Sequence, residues 1–289
     1  MLMHVVEMTS SAPSVRRGIP VGAPVTAVTS LGDDVFVVRR PSRQEVEVYD
    51  AGTFTLQRPL QVRGLGSLSY GLAACASYKC LYSSDYDSNL IHRVDLSGSN
   101  AVTQWSVGRR PVGLAVNSDR NVVVVIQDGC KLQQFTTHGS LLRTIRLQPG
   151  IILPSQVIQL SSGQFVVSQG TQDRVCLVDD KGAVVRSYMY GGGHSFHQMT
   201  MNYPKGLAVD EHGNILVADE LNNRLLVLDP TLTSAGEMSV SVDGGLEVPF
   251  SLWYDKSRGR LYVVQWGGNR VIVIDHLNDF TATHVHRHP

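Results

Sequence analysis

Residues 203–229 of the 289-residue chain read Tyr203-Pro-Lys-Gly-Leu-Ala-Val-Asp-Glu-His-Gly-Asn-Ile-Leu-Val-Ala-Asp-Glu-Leu-Asn-Asn-Arg-Leu-Leu-Val-Leu-Asp229. In this stretch, three short apolar runs are separated by turn residues. Pro204 leads into the first run, and the turns lie at 210–213 and 222–223. Aspartate hydrogen-bonds its own backbone in turns, and glycine adopts positive φ without strain. The pattern therefore predicts three short antiparallel strands and argues against helices.

The same unit recurs six times along the chain, starting near residues 24, 69, 111, 154, 204 and 249. Several units also carry a fourth, more polar run, such as 141–147 and 184–190. Four strands per unit, repeated around a ring, are typical of propeller blades. The sequence therefore predicts an all-β fold: a six-bladed β-propeller of four-stranded antiparallel blades, with residues 1–289 forming a single domain.

The last unit shows three strands that end near Asp275. We expect a strand within residues 1–20 to complete that blade and close the ring. Residues 280–286 are the competing donor, and 278–289 otherwise form a polar tail. Because closure removes most free sheet edges, it favours a monomer.

The composition excludes several classes of protein. The 25 basic residues balance the 25 acidic ones. The net charge therefore gives no electrostatic field that would favour binding to nucleic acid or to an anionic membrane. We find neither a signal peptide nor an apolar run of about 18 residues that could span a membrane. We expect a soluble, cytoplasmic protein with free thiols at Cys75, Cys80, Cys130 and Cys176, although a Cys75–Cys80 disulfide stays open.

Three motifs carry a resemblance to a known family: Pro204-Lys-Gly-Leu-Ala-Val-Asp, Gly213-Asn-Ile-Leu-Val-Ala-Asp, and the pair Asn223-Arg224 before the third strand. Arg110-Pro-Val-Gly-Leu-Ala-Val repeats the first motif. The chain resembles NHL-repeat β-propellers, such as the C-terminal domain of tripartite-motif ubiquitin ligases. The resemblance extends over nearly the whole chain, but the first two units depart from it, with Ser69-Tyr70 at the position of the proline.

This resemblance implies binding of protein or RNA, although the amidating lyase and gluconolactonase-like hydrolases share the propeller architecture. The fold alone does not choose between these functions. We predict a protein-interaction scaffold, as the substrate-recognition part of a ubiquitin ligase pathway. The first alternative is an RNA-binding domain, and the second is a metal-dependent lactonase or lyase.

The positions nearest the expected central tunnel argue against catalysis. Two residues of each unit should line the tunnel and so form two rings. Neither ring contains Asp, Glu or His. A divalent metal ion needs several carboxylate or imidazole ligands, so the rings do not favour a metal site. The rings are Val25, Tyr70, Val112, Ser155, Lys205 and Phe250, and then Thr26, Gly71, Gly113, Gln156, Gly206 and Ser251. We predict no catalytic residue, metal or cofactor.

Other metal-ligand candidates have plainer interpretations. We interpret His194 and His197 as part of a solvated loop, Glu247 as a turn residue, and the alternating histidines as a polar tail with incidental metal affinity. Those histidines are His284, His286 and His288.

Binding residues should lie on loops at one end of the tunnel, where rigid blades position variable loops. Aromatic and arginine side chains dominate binding hot spots. The predicted site is Tyr70, Arg110, Tyr203, Lys205, Phe250 and Trp266. For RNA, Arg109, Arg110 and Arg120 are the candidates, since residues 93–146 carry a local basic excess. We interpret the polar residues after the second strands (Asp85, Gln169, Asp219 and Gln265) as turn caps.

Overall fold

The computed structural model describes residues 14–39, 42–189, 200–238, 240 and 245–275. They form six four-stranded antiparallel sheets arranged as the blades of a β-propeller, which confirms the predicted fold. The strands of blades 1 to 3 are β2 (Val25–Leu31), β3 (Asp34–Arg39), β4 (Glu45–Asp50) and β5 (Leu56–Gln61); β6 (Leu72–Cys75), β7 (Cys80–Asp85), β8 (Leu90–Asp95) and β9 (Val102–Ser106); β10 (Pro111–Val116), β11 (Val122–Ile126), β12 (Lys131–Phe135) and β13 (Leu141–Arg146).

Blades 4 to 6 continue the series. Two 3-10 helices, Gly170–Gln172 and Glu220–Asn222, follow the second strands of blades 4 and 5. The strands are β14 (Val157–Gln159), β15 (Phe165–Gln169), β16 (Arg174–Val178) and β17 (Val184–Tyr188); β18 (Pro204–Val209), β19 (Ile215–Asp219), β20 (Arg224–Leu228) and β21 (Ala235–Met238); β22 (Pro249–Asp255), β23 (Arg260–Gln265), β24 (Arg270–Asp275) and β1 (Ser14–Pro20).

The N-terminal strand closes the ring. Strand β1 pairs antiparallel with β24, from Ser14 opposite Asp275 to Pro20 opposite Arg270. The alternative donor at 280–286 lies outside the described residues. Around the tunnel, each innermost strand (β2, β6, β10, β14, β18 and β22) contacts the innermost strands of both neighbouring blades.

The hydrophobic core lies between the blades. Each of six buried clusters joins two adjacent blades, and Tyr82, Phe36 and Tyr262 are among the largest fully buried side chains. A central strand therefore faces apolar neighbours on both sides, so it loses the alternation of a half-exposed strand. Strand β11, Val-Val-Val-Val-Ile, is buried at every position for this reason.

The two cysteines of blade 2 are not bonded to each other. Cys75 and Cys80 are buried free thiols that lie opposite each other on β6 and β7. None of the helices in the described part of the chain is long and apolar enough to cross a membrane.

One polar residue at or near the end of the second strand fixes the loop that leads into the same blade. In blades 2, 4, 5 and 6 this side chain is buried and hydrogen-bonds a backbone group of that leading loop. The four residues therefore act as structural caps, as their sequence pattern indicates. The hydrogen bonds join Asp85 to Gly66 (2.8 Å), Gln169 to Ile152 (3.1 Å), Asp219 to Asn202 (2.6 Å) and Gln265 to Glu247 (2.9 Å).

Candidate binding site

The innermost strands begin at one end of the tunnel, here called the top face. In blades 3, 5 and 6 the strand opens with a proline, and its pairing with the second strand slips immediately afterwards. Such a bulge takes the following residues out of the ladder and re-aims their side chains. Lys205 and Phe250 occupy this position, and both line a cavity at the mouth of the tunnel.

The cavity has a volume of about 380 Å³ and is lined by residues of blades 2 to 6. The structure brings five of the six residues of the predicted site together here: Tyr70, Tyr203, Lys205, Phe250 and Trp266. The sixth, Arg110, lies beside the cavity, with its guanidinium 5.9 Å from the centre of the Tyr86 ring.

Aromatic rings form one wall of the cavity. Tyr70 of blade 2 meets two residues of blade 6: its ring stacks on Trp266 at 6.4 Å and lies 6.3 Å from Phe250. Phe250 and Trp266 are 4.7 Å apart, and Tyr86 meets Tyr70 edge-on at 5.6 Å. We call Tyr70, Tyr86, Phe250 and Trp266 the aromatic cluster. Such mutual ring contacts fix the orientation of each side chain.

Two opposite charges of blade 5 share the cavity with the aromatic cluster. The Lys205 ammonium lies 4.6 Å above the Tyr203 ring and 5.9 Å from the Phe250 ring, and Ser155 Oγ is 3.5 Å away. Burial lowers the pKa of Lys205, and attraction to Glu220 opposes that change. Glu220 is 7% exposed, and burial raises its pKa against the attraction of Lys205.

Glycines let neighbouring blades approach beneath this cavity. A Cβ atom on Gly206 would lie 2.8 Å from the carbonyl oxygen of Phe250, and one on Gly71 would lie 2.6 Å from that of Val112. Contacts this short with backbone atoms do not occur for real side chains. The glycines of the second predicted ring therefore let the innermost strands come together, and Gly206 also lines the cavity.

Tyr86, Gln127 and Glu220 also line the cavity, although the repeat motifs did not single them out. Each directly follows the last residue of a second strand, as Trp266 does in blade 6. The second strand runs back to the top face, so the next residue turns towards the tunnel. This third ring contributes a carboxylate, Glu220, that the two rings considered in the sequence do not contain.

The three arginines considered for RNA do not share one surface. Arg109 and Arg110 precede β10 at the top face, whereas Arg120 lies in the turn after β10, at the opposite end of the blade. Asp128 lies 3.6 Å from Arg109 and 3.9 Å from Arg110, which reduces the positive charge they present.

The candidate metal ligands of the sequence fall partly inside and partly outside the described residues. No group of three or more His, Cys, Asp or Glu side chains within them could hold a metal ion. Glu247 is an exposed loop residue whose backbone carbonyl accepts the Gln265 hydrogen bond. The histidines at 194, 197, 284, 286 and 288 lie outside the described residues.

Comparisons with known proteins agree with this architecture. Residues 201–228 match the NHL repeat family. No curated protein matches the chain significantly.

Solved structures resemble the chain over most of its length. A streptogramin B lyase has a TM-score of 0.66 at 10% identity, covering 90% of this chain and 96% of that one. A catalytically inactive virginiamycin B lyase from Staphylococcus aureus, with quinupristin, has a TM-score of 0.64 at 11% identity, with coverage of 91% and 87%. Hydrazine synthase from Kuenenia stuttgartiensis has a TM-score of 0.64 at 15% identity, with coverage of 96% and 99%. Because identities this low show the fold alone, the chain is a six-bladed β-propeller that contains an NHL repeat at residues 201–228.

Proposed function

We propose that this propeller is a non-catalytic scaffold that binds a partner protein at its top face. The aromatic cluster carries the proposal, because four rings from two blades meet beside an open cavity and Trp266 is 38% exposed there. Exposed aromatic side chains held in fixed positions are typical of interface hot spots. The resemblance to tripartite-motif proteins extends the proposal to substrate recognition in a ubiquitin ligase pathway.

The absence of catalysis is part of the same proposal. The described residues offer no metal-binding group, and the charged residues of the cavity are one lysine and one glutamate. The likeness to lyases concerns the fold, and function depends on the residues that a fold carries.

RNA binding is the second candidate. Arg109 and Arg110 are exposed at the top face, and Arg110 extends over a ring of the aromatic cluster. A mixture of basic and aromatic groups suits single-stranded RNA. Asp128 offsets both arginines, and Arg120 lies at the other end, so protein remains the favoured partner.

The test compares two exposed aromatic residues on opposite ends of the propeller. Trp266→Ala removes a ring of the aromatic cluster, and Tyr78→Ala removes a ring of similar exposure (42%) in the β6–β7 hairpin at the bottom. Cell proteins captured by immobilised wild-type chain and both variants are quantified after RNase treatment. We expect at least one direct partner to fall about tenfold or more with Trp266→Ala, as for a hot-spot residue, and to persist with Tyr78→Ala.

Three results would contradict the proposal. One is the absence of any protein whose capture depends on Trp266. Another is equal loss with both variants. The third is a partner that disappears after RNase treatment, which would favour the RNA candidate. Unchanged thermal unfolding of both variants is the control for folding.

A further inference from the structure

Lys205 brings an ammonium group to the top cavity. Its Nζ atom lies 3.5 Å from Ser155 Oγ, 4.6 Å from the centre of the Tyr203 ring and 5.9 Å from that of Phe250. All three neighbours line the cavity, so the ammonium faces it. An ammonium group offers three hydrogen-bond donors, and its polar contact in the described part of the chain is the long one to Ser155. Lys205 therefore has donors available for an acceptor in the cavity.

Glu220 attracts this ammonium without forming an ion pair with it. The attraction raises the pKa of Lys205 against the larger effect of burial, which lowers it. Glu220 belongs to the 3-10 helix after β19, and its Oε2 atom is buried away from solvent. Among the described residues that line the cavity, Lys205 is the one cationic side chain. The site therefore suits a ligand with a single negative charge.

Gln156 supplies a further donor to the same cavity. Its Oε1 atom accepts a hydrogen bond from the Val157 amide at 3.2 Å, and its Nε2 atom has no partner among the residues that the structure describes. A Cβ atom on Gly113 would overlap Oε1, so this glycine makes room for the Gln156 side chain. Gln156 lines the cavity, and its amide NH2 group is a second donor for an acceptor there.

One hydroxyl group holds these two donors at neighbouring positions. Ser168 Oγ accepts a hydrogen bond from the Gln156 backbone amide at 3.1 Å and donates to the Lys205 carbonyl oxygen at 2.6 Å. The main chains of blades 4 and 5 are thus joined directly below the cavity. A ligand that contacts Lys205 therefore has Gln156 within its surroundings.

The aromatic cluster provides an apolar wall for the rest of the ligand. The cavity volume of about 380 Å³ is at the small end of the range for small-molecule sites. Aromatic rings favour another flat ring through offset or edge-on contacts. The combination of a wall of rings with an ammonium and an amide donor suits a small molecule that has one ring and one anionic acceptor.

The cavity at the bottom of the tunnel is larger, about 660 Å³, but its polar groups are already paired. Asn117 Nδ2 donates to Gln159 Oε1 at 2.7 Å, and Gln159 Nε2 donates to the Gly163 carbonyl at 2.8 Å. Asp210 accepts from the Asn214 side chain at 2.8 Å. These groups satisfy one another, whereas Gln156 Nε2 at the top does not have a partner in the described chain.

We propose that the top cavity binds a small aromatic monocarboxylate. Its carboxylate accepts hydrogen bonds from the Lys205 ammonium and from Gln156 Nε2, and its ring packs on the aromatic cluster. A carboxylate has two oxygens and can accept from both donors. Its single negative charge matches the single lysine of the cavity. This inference goes beyond the partner protein proposed above and does not require it.

The test uses the full chain and calorimetric titration near neutral pH with four compounds. 3-Phenylpropanoate has the ring and the single charge, 3-phenylpropanamide lacks the charge, propanoate lacks the ring, and phenyl phosphate carries a second negative charge. We expect 3-phenylpropanoate to bind at millimolar concentration or below, as its size allows. Because hydrogen bonds to charged groups contribute strongly, we expect each of the other compounds to bind roughly tenfold more weakly or worse.

Four results would overturn the proposal. The first is the absence of measurable heat with 3-phenylpropanoate at millimolar concentration. Equal binding of 3-phenylpropanamide would show that the charge is not recognised, and equal binding of propanoate would show the same for the ring. Tighter binding of phenyl phosphate would assign the cavity to phosphate esters instead.

Variants assign the carboxylate to its donors. Lys205→Met should abolish the preference for 3-phenylpropanoate over 3-phenylpropanamide, and Gln156→Met should weaken 3-phenylpropanoate by a smaller factor because Lys205 remains. Lys256→Met removes a lysine that lines the bottom cavity, so it is the matched control and should bind as wild type. An unchanged preference in Lys205→Met would refute the assignment. If that variant fails to fold, Gln156→Met and the four-compound series on wild type still decide.

The two proposals can fail separately. Loss of the Trp266-dependent protein partner leaves the titration result unaffected. Conversely, a chain that binds no aromatic carboxylate can still bind a protein through the exposed part of the aromatic cluster.

Discussion

Blades 5 and 2 anchor their leading loops with the same residue type but with different partners. In blade 5, Asp219 accepts hydrogen bonds from the Asn202 amide at 2.6 Å and from Arg224 Nε at 2.7 Å. In blade 2, Asp85 accepts from the Gly66 amide at 2.8 Å and lies 3.3 Å from His92 Nε2.

The difference shows which part of the repeat the fold requires. Blade 5 keeps the Asn-Arg motif of the NHL repeat, whereas blade 2 has lost the arginine and still holds its leading loop in the same way. Blades 4 and 6 use glutamine at the equivalent place. The loop needs a side chain that hydrogen-bonds its backbone, and the charged partner is an addition specific to each blade.

The largest expected effect distinguishes the contribution of the charged partner from that of the loop contact. Asp219→Ala removes the buried carboxylate that pairs with Arg224, whose side chain is 12% exposed. Breaking a buried pair from one side typically costs about 3 to 5 kcal/mol. Asp85→Ala leaves no arginine without its carboxylate, so the cost should be that of buried donors left unsatisfied, about 1 to 3 kcal/mol. Denaturant unfolding of both variants gives the two free energies.

Equal costs at the two positions would show that the arginine adds nothing beyond the loop contact. A larger cost for Asp85→Ala would reverse the comparison. The double variant Asp219→Ala/Arg224→Met provides the control, because it removes the unpaired charge and should recover part of the loss.

A second, smaller effect is the pH dependence of the blade 2 anchor. Burial alone would raise the pKa of Asp85, but hydrogen bonds from His92 and the amides of Ser88 and Gly66 outweigh it and lower the pKa to about 2. The unfolded chain titrates near the usual value of 3.8. The folded state is therefore stabilised fully above about pH 5, and this contribution of about 2 kcal/mol disappears as the pH falls towards 2.

Comparison with Asp85→Asn isolates this one carboxyl from the others that titrate in acid. The difference in unfolding free energy between wild type and variant should be constant from pH 5 to 7 and should shrink by about 2 kcal/mol towards pH 2. A difference that stays flat across this range would mean that Asp85 does not have the lowered pKa.

The fold could be predicted from the sequence because every unit repeats its turns and apolar runs. The residues between Pro204 and Asp229 define a blade locally, and the spacing of the other units gives the number of blades. The repeat pattern did not determine which chain end supplies the closing strand. The pairing between β1 and β24 joins the two ends of the described chain, so no repeat motif connects them. The drift of blade 2 was tolerated because Asp85 retains the anchoring contact without the consensus motif.

The candidate site could be predicted only in part. Tyr70, Lys205 and Phe250 share the position that follows the start of each unit, and a repeat alignment reveals it. Glu220 and Tyr86 lie one residue beyond the second strand, and their approach to the tunnel depends on how the strand ends at the top face. The contact of Tyr70 with Trp266 joins blades 2 and 6, and repeat spacing does not show which side chains meet across a tunnel.

The smallest expected effect concerns the exposed side of the blade 5 anchor. Glu237 Oε2 lies 3.2 Å from Arg224 Nη1, but the Glu237 side chain is 51% exposed. Exposed ion pairs are screened by water and salt, so Glu237→Gln should cost less than about 0.5 kcal/mol and still less at 1 M salt. Arg224 keeps Asp219 and the Thr200 carbonyl, at 2.7 and 2.9 Å, as its buried partners. Denaturant unfolding at low and high salt measures this difference. A cost near that of Asp219→Ala would mean that the charge network as a whole, rather than the loop anchor that blades 2 and 5 share, stabilises blade 5.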